Sequence, residues 1–213
     1  MSKNTNAPAI LIIPGLNGSG PTHWQSEWEK FLPNASRVHL GSWSHPHRGA
    51  WITNLGIAVR QTAGPKILVA HSLGCHAVAH WAAQEPDAAA LGIIGALLVA
   101  PPDVDSVADR SPLASFKPSP RQFLPFSATL VASANDPYCD LEQARKLARR
   151  WRAKFINAGL FGHLNAESGI GAWPYGLYLL DTLKTQNSPF INPALVARIE
   201  QHRRERAMES VVN

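Results

Sequence analysis

Ser72 lies in KILVAHSLGCHAVAHWAAQ (66–84), where an apolar run breaks at Ala70-His71-Ser72-Leu73-Gly74 into a stretch of helical spacing. A serine on a sharp strand-to-helix turn exposes its hydroxyl. The residues two before and two after it must be small, because strand and helix approach closely there. Ala70 and Gly74 meet that demand, with a methyl group where a glycine is usual. The competing reading is a serine that merely caps the helix. A hydroxyl is a weak nucleophile near neutral pH, so chemistry at Ser72 requires a base that is itself oriented by a third group. On a strand–turn–helix scaffold of this kind the partners follow in the order Ser, acid, His.

For the acid, ATLVASANDPYCDLEQARKLA (128–148) ends its apolar run at Asn135-Asp136-Pro137 and places Asp136 on the following loop. Asp140 competes, but with Gln143 three residues on and an apolar helix behind it, it has the pattern of a capping box. Asp103 and Asp105, on an earlier loop, are outside alternatives. Nine histidines compete for the base. After Asp136 only His163 and His202 remain, and His202 falls in a charged terminal stretch. His163 follows the last strand-like run, with Gly162 beside it to relax the backbone. His76 and His80, four apart on the helix after Ser72, form a candidate metal pair, and His45 and His47 an H-x-H. No third ligand accompanies either pair, so neither a metal nor a cofactor is expected.

A second glycine-rich turn occurs in AILIIPGLNGSGPTHW (9–24). Gly15 and Gly20 have the spacing of a phosphate-binding loop, but Pro21 stands where the lysine belongs, and proline has neither charge nor N–H. Acyl transfer through serine supplies another use for it. The oxyanion needs two backbone N–H donors, one after the nucleophile and one from the loop after an early strand. Leu73 would give the first, and Leu16 or Asn17 the second.

The elements that position these residues alternate. Strands are expected at 9–13, 37–40, 66–70, 93–100, 128–133 and 153–157, and helices at 22–32, 50–62, 73–84, 141–152 and 173–185. This βαβ order predicts an α/β fold of three layers, a mostly parallel sheet with helices on both faces and ligands at the carboxyl ends of the strands. Residues 101–126 hold six prolines and read as a loop across the mouth of the site rather than a helical cap. At 213 residues and 45% hydrophobic the chain suits one domain, expected over 1–187, with a linker and charged terminal helix over 188–213. Two cysteines without a C-x-x-C pair point to buried thiols. A net charge of +5 allows weak attraction to polyanions but names no nucleic-acid partner. The basic stretch 145–154 has apolar residues at helical spacing on its other face, as a solvated outer helix does. With no membrane-length apolar run and too short an N-terminal apolar run for a signal, the chain is expected to be cytoplasmic.

The set PGLNGSGPTHW, AHSLG, LVAPPD, SANDPY and GHLNAESGIGAWP resembles the small α/β-hydrolase family that includes YdeN and retinoblastoma-binding protein 9. The resemblance spans roughly residues 8–185 and implies a compact α/β-hydrolase core with little or no cap domain. It implies a serine hydrolase with Ser72 as nucleophile, Asp136 as orienting acid and His163 as base, and the expected substrates are small-molecule carboxylic esters or small amides. Family members are also known as protein partners, so the alternative is a catalytically weak binding or scaffold protein on the same fold. Trp24 and Trp173 fall in the resembling segments and are expected to pack rather than react.

Overall fold

The computed structural model describes residues 7–185 apart from Pro86 and Ala89; the expected boundary at 187 and the segment 188–213, with His202, lie outside them. Among the described residues six strands form one sheet: β1 (Ala9–Ile13), β2 (Ala35–Arg37), β3 (Lys66–His71), β4 (Ile93–Val99), β5 (Ala128–Ala132) and β6 (Lys154–Asn157). All neighbours are parallel, in the order β2-β1-β3-β4-β5-β6. Among the described residues four helices lie between strands, α1 (Trp24–Phe31), α2 (Arg48–Gln61), α3 (Leu73–Gln84) and α4 (Leu141–Trp151), and α5 (Pro174–Thr185) follows β6.

The central strands read as unbroken apolar runs because both faces of the sheet are covered. Successive side chains point to opposite faces, and the core divides accordingly. Leu11, Ile13, Leu68, Ala70, Leu98 and Leu130 pack with α2, α3 and α4 through Trp51, Leu55, Val78 and Trp151. Ile10, Ile12, Ile67, Val69, Leu97 and Val131 pack with α1 and α5 through Trp24, Trp28, Leu180 and Leu183. This is the expected three-layer α/β arrangement. α4 shows how the sequence sets a helix. Asp140 caps it by accepting from the Gln143 N–H at 2.7 Å, Glu142 sits in its first turn, and Arg149 and Arg150 sit in its last, matching the helix dipole.

Strand order places the site. β1 is followed by β2 on one side and by β3 on the other, so the chain's winding reverses between β1 and β3. A crevice opens at the carboxyl ends of the strands at such a point. The glycine loop leaves β1 there and Ser72 leaves β3.

Two expectations need correction. The edge strand expected at 37–40 lies at Ala35–Arg37. Val38 and Leu40, whose alternation suggested the strand, are buried anchors of the segment that leaves the sheet, although the Val38 N–H still bonds the Ile12 carbonyl at 2.8 Å. The segment 101–126 does border the mouth through Pro102 and Leu113, but it also sends Phe116 fully into the core against Trp51. It is part lip and part core.

Candidate active site

Ser72 closes β3 and opens α3 with φ 54° and ψ −126°, a sparsely populated conformation that costs on the order of 1–3 kcal/mol. The turn is held from both sides: the Ser72 N–H donates to the Val99 carbonyl at 2.8 Å, and its carbonyl accepts from the Cys75 N–H at 3.0 Å. A Cβ at Gly74 would collide with the carbonyl oxygens of Ile13 and Pro14, which is why that position must be glycine. A Cβ at Gly15 would lie 2.7 Å from the Ser72 Cβ, so the first glycine of the loop is required by the serine turn itself. Ser72 makes no side-chain cap bond to α3, which removes the reading of it as an ordinary N-cap.

Its hydroxyl lies 2.9 Å from His163 Nε2. His163 Nδ1 in turn lies 2.9 Å from Asp136 Oδ2 and 3.0 Å from Oδ1. The Asp136 side chain is 2% exposed and the His163 side chain 10%. Asp136 Oδ1 also accepts the Tyr138 N–H at 2.9 Å, which fixes the carboxylate against the ring. The loops after β5 and β6 are laced together: Asn135 Oδ1 accepts the Gly162 N–H at 2.7 Å, and Ser133 Oγ the Phe161 N–H at 2.9 Å. Gly162 has φ +54°, a conformation that suits glycine on the approach to His163. The structure thus brings Ser72, His163 and Asp136 into one hydrogen-bonded chain, ordered so that a neutral imidazole accepts from serine while donating to a carboxylate.

The competing carboxylates have other partners. Asp140 caps α4, although Gln143 sends its amide to Asp103 at 3.2 Å instead of closing the reciprocal half of a capping box. Asp103 accepts the Ser106 hydroxyl, and Asp105 the Ser119 N–H at 2.8 Å. The histidine pair on α3 is structural: His76 Nε2 bonds the Pro102 carbonyl and His80 Nε2 the Phe116 carbonyl, each at 2.8 Å. His47 Nδ1 accepts at the start of α2, while His45 Nδ1 bonds Ser44 at 3.0 Å. Among the described residues no three His, Cys, Asp or Glu side chains are grouped to hold a metal.

One oxyanion candidate is corrected. The Asn17 N–H donates to the Trp43 carbonyl at 2.9 Å and is not available. The Leu16 N–H has no partner among the described residues, and Leu73, as the first residue of α3, has an N–H without an intrahelical acceptor.

Three further residues, which the sequence marked at most for packing, support the His163 loop directly or through His71. His71, inside the serine motif, bonds the His163 carbonyl at 2.9 Å through Nε2. Trp24 donates its indole N–H to the Leu164 carbonyl at 2.9 Å. His23 packs edge-on against His71, with ring centroids 4.7 Å apart. Burial, helped by Arg37 and His163, lowers the His23 pKa to about 4, and burial takes His71 well below the usual histidine range. Both are therefore uncharged at neutral pH. Among these the sequence signals were slight: a histidine directly before the first tryptophan of α1, and the variable position of a short motif.

A cleft of about 360 Å³ opens over Ser72, walled by the glycine loop, His23, His71, Pro102, Leu113 and Tyr138. The model of a family described as serine hydrolase matches residues 10–182. The chain belongs to the serine hydrolase family. A YdeN-like hydrolase from Pectobacterium atrosepticum is similar to this serine hydrolase at 29% identity, over 84% of this chain and 92% of its own, with a TM-score of 0.75. The ydeN gene product from B. subtilis is 21% identical over 84% of this chain and 100% of its own, with a TM-score of 0.69. Est1E from Butyrivibrio proteoclasticus, solved with ferulic acid bound, is 14% identical over 85% and 89%, with a TM-score of 0.58. The last two share the α/β-hydrolase fold with it. No curated protein matches the chain. No helix among the described residues is long and apolar enough to cross a membrane.

Proposed function

We propose that this serine hydrolase cleaves carboxylic esters of small molecules, and small amides more slowly, through an acyl-enzyme on Ser72. The observation that supports it is the unbroken chain from the Ser72 hydroxyl through His163 to Asp136, each link 2.9 Å. Ser72 Oγ attacks the ester carbonyl as its proton passes to His163 Nε2. The carbonyl oxygen takes up the negative charge and accepts from the N–H groups of Leu73 and Leu16. Asp136 keeps the Nδ1–H tautomer in place and stabilises the imidazolium. His163 then gives its proton to the departing alkoxide. Water attacks the acyl-enzyme in turn, its proton going to His163 and then to Ser72 as the acid leaves. The cleft is of a size for small substrates, and no Lys or Arg lines it.

Hydrolysis of p-nitrophenyl butyrate in excess EDTA tests this reading. Wild-type turnover should be unaffected by the chelator, and Ser72→Ala should lower it on the order of 10⁴ to 10⁶. Turnover that disappears with EDTA and returns with zinc, or that persists in Ser72→Ala, overturns it.

A further inference from the structure

His23 takes no part in the chemistry above, yet it stands in the wall of the same cleft. It is 4% exposed and is the N-cap of α1. Its Nδ1 accepts the Gln25 N–H at 3.1 Å, which leaves the hydrogen of the neutral ring on Nε2. That Nε2–H is buried and has no hydrogen-bond partner among the described residues. An imidazole that is neutral at working pH and carries an unpaired, buried N–H is costly in a core unless something supplies the missing acceptor. His23 is among the residues that line the cleft substrate would fill, beside Ser72.

We propose that the His23 Nε2–H donates a hydrogen bond to substrate and selects acyl groups that carry a neutral acceptor, a carbonyl, hydroxyl or ether oxygen, next to the scissile carbonyl. This rests on the acyl-transfer reading of Ser72. The alcohol leaves toward His163, which protonates it, so the acyl group remains in the part of the cleft walled by the glycine loop and its continuation to His23. The acceptor is neutral because Glu167 lines the cleft and no cation does. An anionic acyl group would lose its hydration beside a carboxylate, with no counter-charge among the lining residues. The rival account is that the N–H rests on the face of His71, whose ring meets His23 at 63°.

p-Nitrophenyl methoxyacetate and p-nitrophenyl butyrate differ by one ether oxygen in place of a methylene, and their kcat/KM ratio, divided by the ratio of their hydroxide-catalysed rates, isolates the enzyme's preference. For wild type the corrected ratio should favour methoxyacetate about tenfold. His23→Asn keeps a good cap acceptor for the Gln25 N–H but is too short to place a donor where Nε2 stands, and its ratio should fall to near one. His23→Gln puts an amide N–H near the Nε2 position and loses the cap; it should recover most of the preference with a lower Tm. A structural role alone would lower both esters together and leave the ratio unchanged. A wild-type corrected ratio near one overturns the assignment before any variant is made, as does one ratio common to all three proteins. Loss of the preference in His23→Asn while butyrate turnover still depends on Ser72 supports it. If wild type turns over neither ester, the acyl-transfer reading fails and takes this one with it.

Discussion

The two segments that border the cleft are fastened differently. The loop after β6 is tied at the point where the proton must move: His71 holds the carbonyl of His163, Trp24 that of Leu164 and Trp28 that of Ala172. The segment 101–126 is tied at wider intervals: His76 holds Pro102, His80 Phe116, Arg48 Lys117 and Trp151 Pro120. Both use side-chain N–H groups to satisfy loop carbonyls that have no strand or helix to bond. The first places one imidazole between a hydroxyl and a carboxylate, where an ångström of error costs on the order of 10² in rate. The second shapes a wall, where such error changes fit and stability. Tight fastening is found where geometry controls chemistry.

The largest expected effect lies in the first region. Asp136→Asn should lower kcat for p-nitrophenyl butyrate on the order of 10⁴ by putting His163 in the wrong tautomer, with a thermal midpoint close to wild type. A small loss would remove the carboxylate from the comparison.

Acid tests the imidazole fastenings of both. His23 and His76 have pKa values lowered to about 4 by burial, that of His23 helped by Arg37 and His163. His71 and His80 are lowered too, chiefly by burial. A group whose folded pKa lies below its unfolded value of 6.5 contributes stability that is present above 6.5 and lost as pH falls toward 4, because the unfolded chain binds the proton first. At about 1.4 kcal/mol per unit, His23 and His76 should each account for on the order of 3 kcal/mol. Urea unfolding at pH 7.0, 5.5 and 4.5 measures the loss, and a flat profile would contradict it.

A matched pair of indole substitutions sharpens the contrast. Trp24→Phe removes the donor to Leu164 and should lower kcat 10- to 100-fold, on the scale of a misplaced base. Trp151→Phe removes the donor to Pro120 and should leave kcat within about twofold while costing on the order of 1–3 kcal/mol of stability. Equal losses of kcat would erase the distinction. The smallest effect belongs to Asp140→Ala, about 1 kcal/mol of stability from a lost cap, with turnover unchanged.

Most of this architecture was legible. The β3–α3 turn carries its own signature, since only small residues fit at 70 and 74, and chain order led from Ser72 to Asp136 and His163. Strands buried on both faces are plain in the sequence because Thr129 alone interrupts their apolar runs. What was hidden depends on contacts across the chain. Asn17 and Leu16 are equivalent candidates until the carbonyl of Trp43, some 26 residues away, takes the Asn17 N–H. His76 and His80 have a metal-like spacing, and only the folded loop shows that each serves a carbonyl. The three-residue β2 is too short for its alternation to be told from that of the buried segment beyond it.

The central claim is that Ser72 is an activated nucleophile, and a fluorophosphonate probe tests it most directly. After brief exposure, peptide mapping by mass spectrometry should find one adduct, on the peptide containing Ser72. The same treatment of His163→Ala should leave that peptide unmodified, because without the imidazole the hydroxyl stays protonated. An adduct on another serine, or equal labelling of Ser72 with and without His163, would contradict the account.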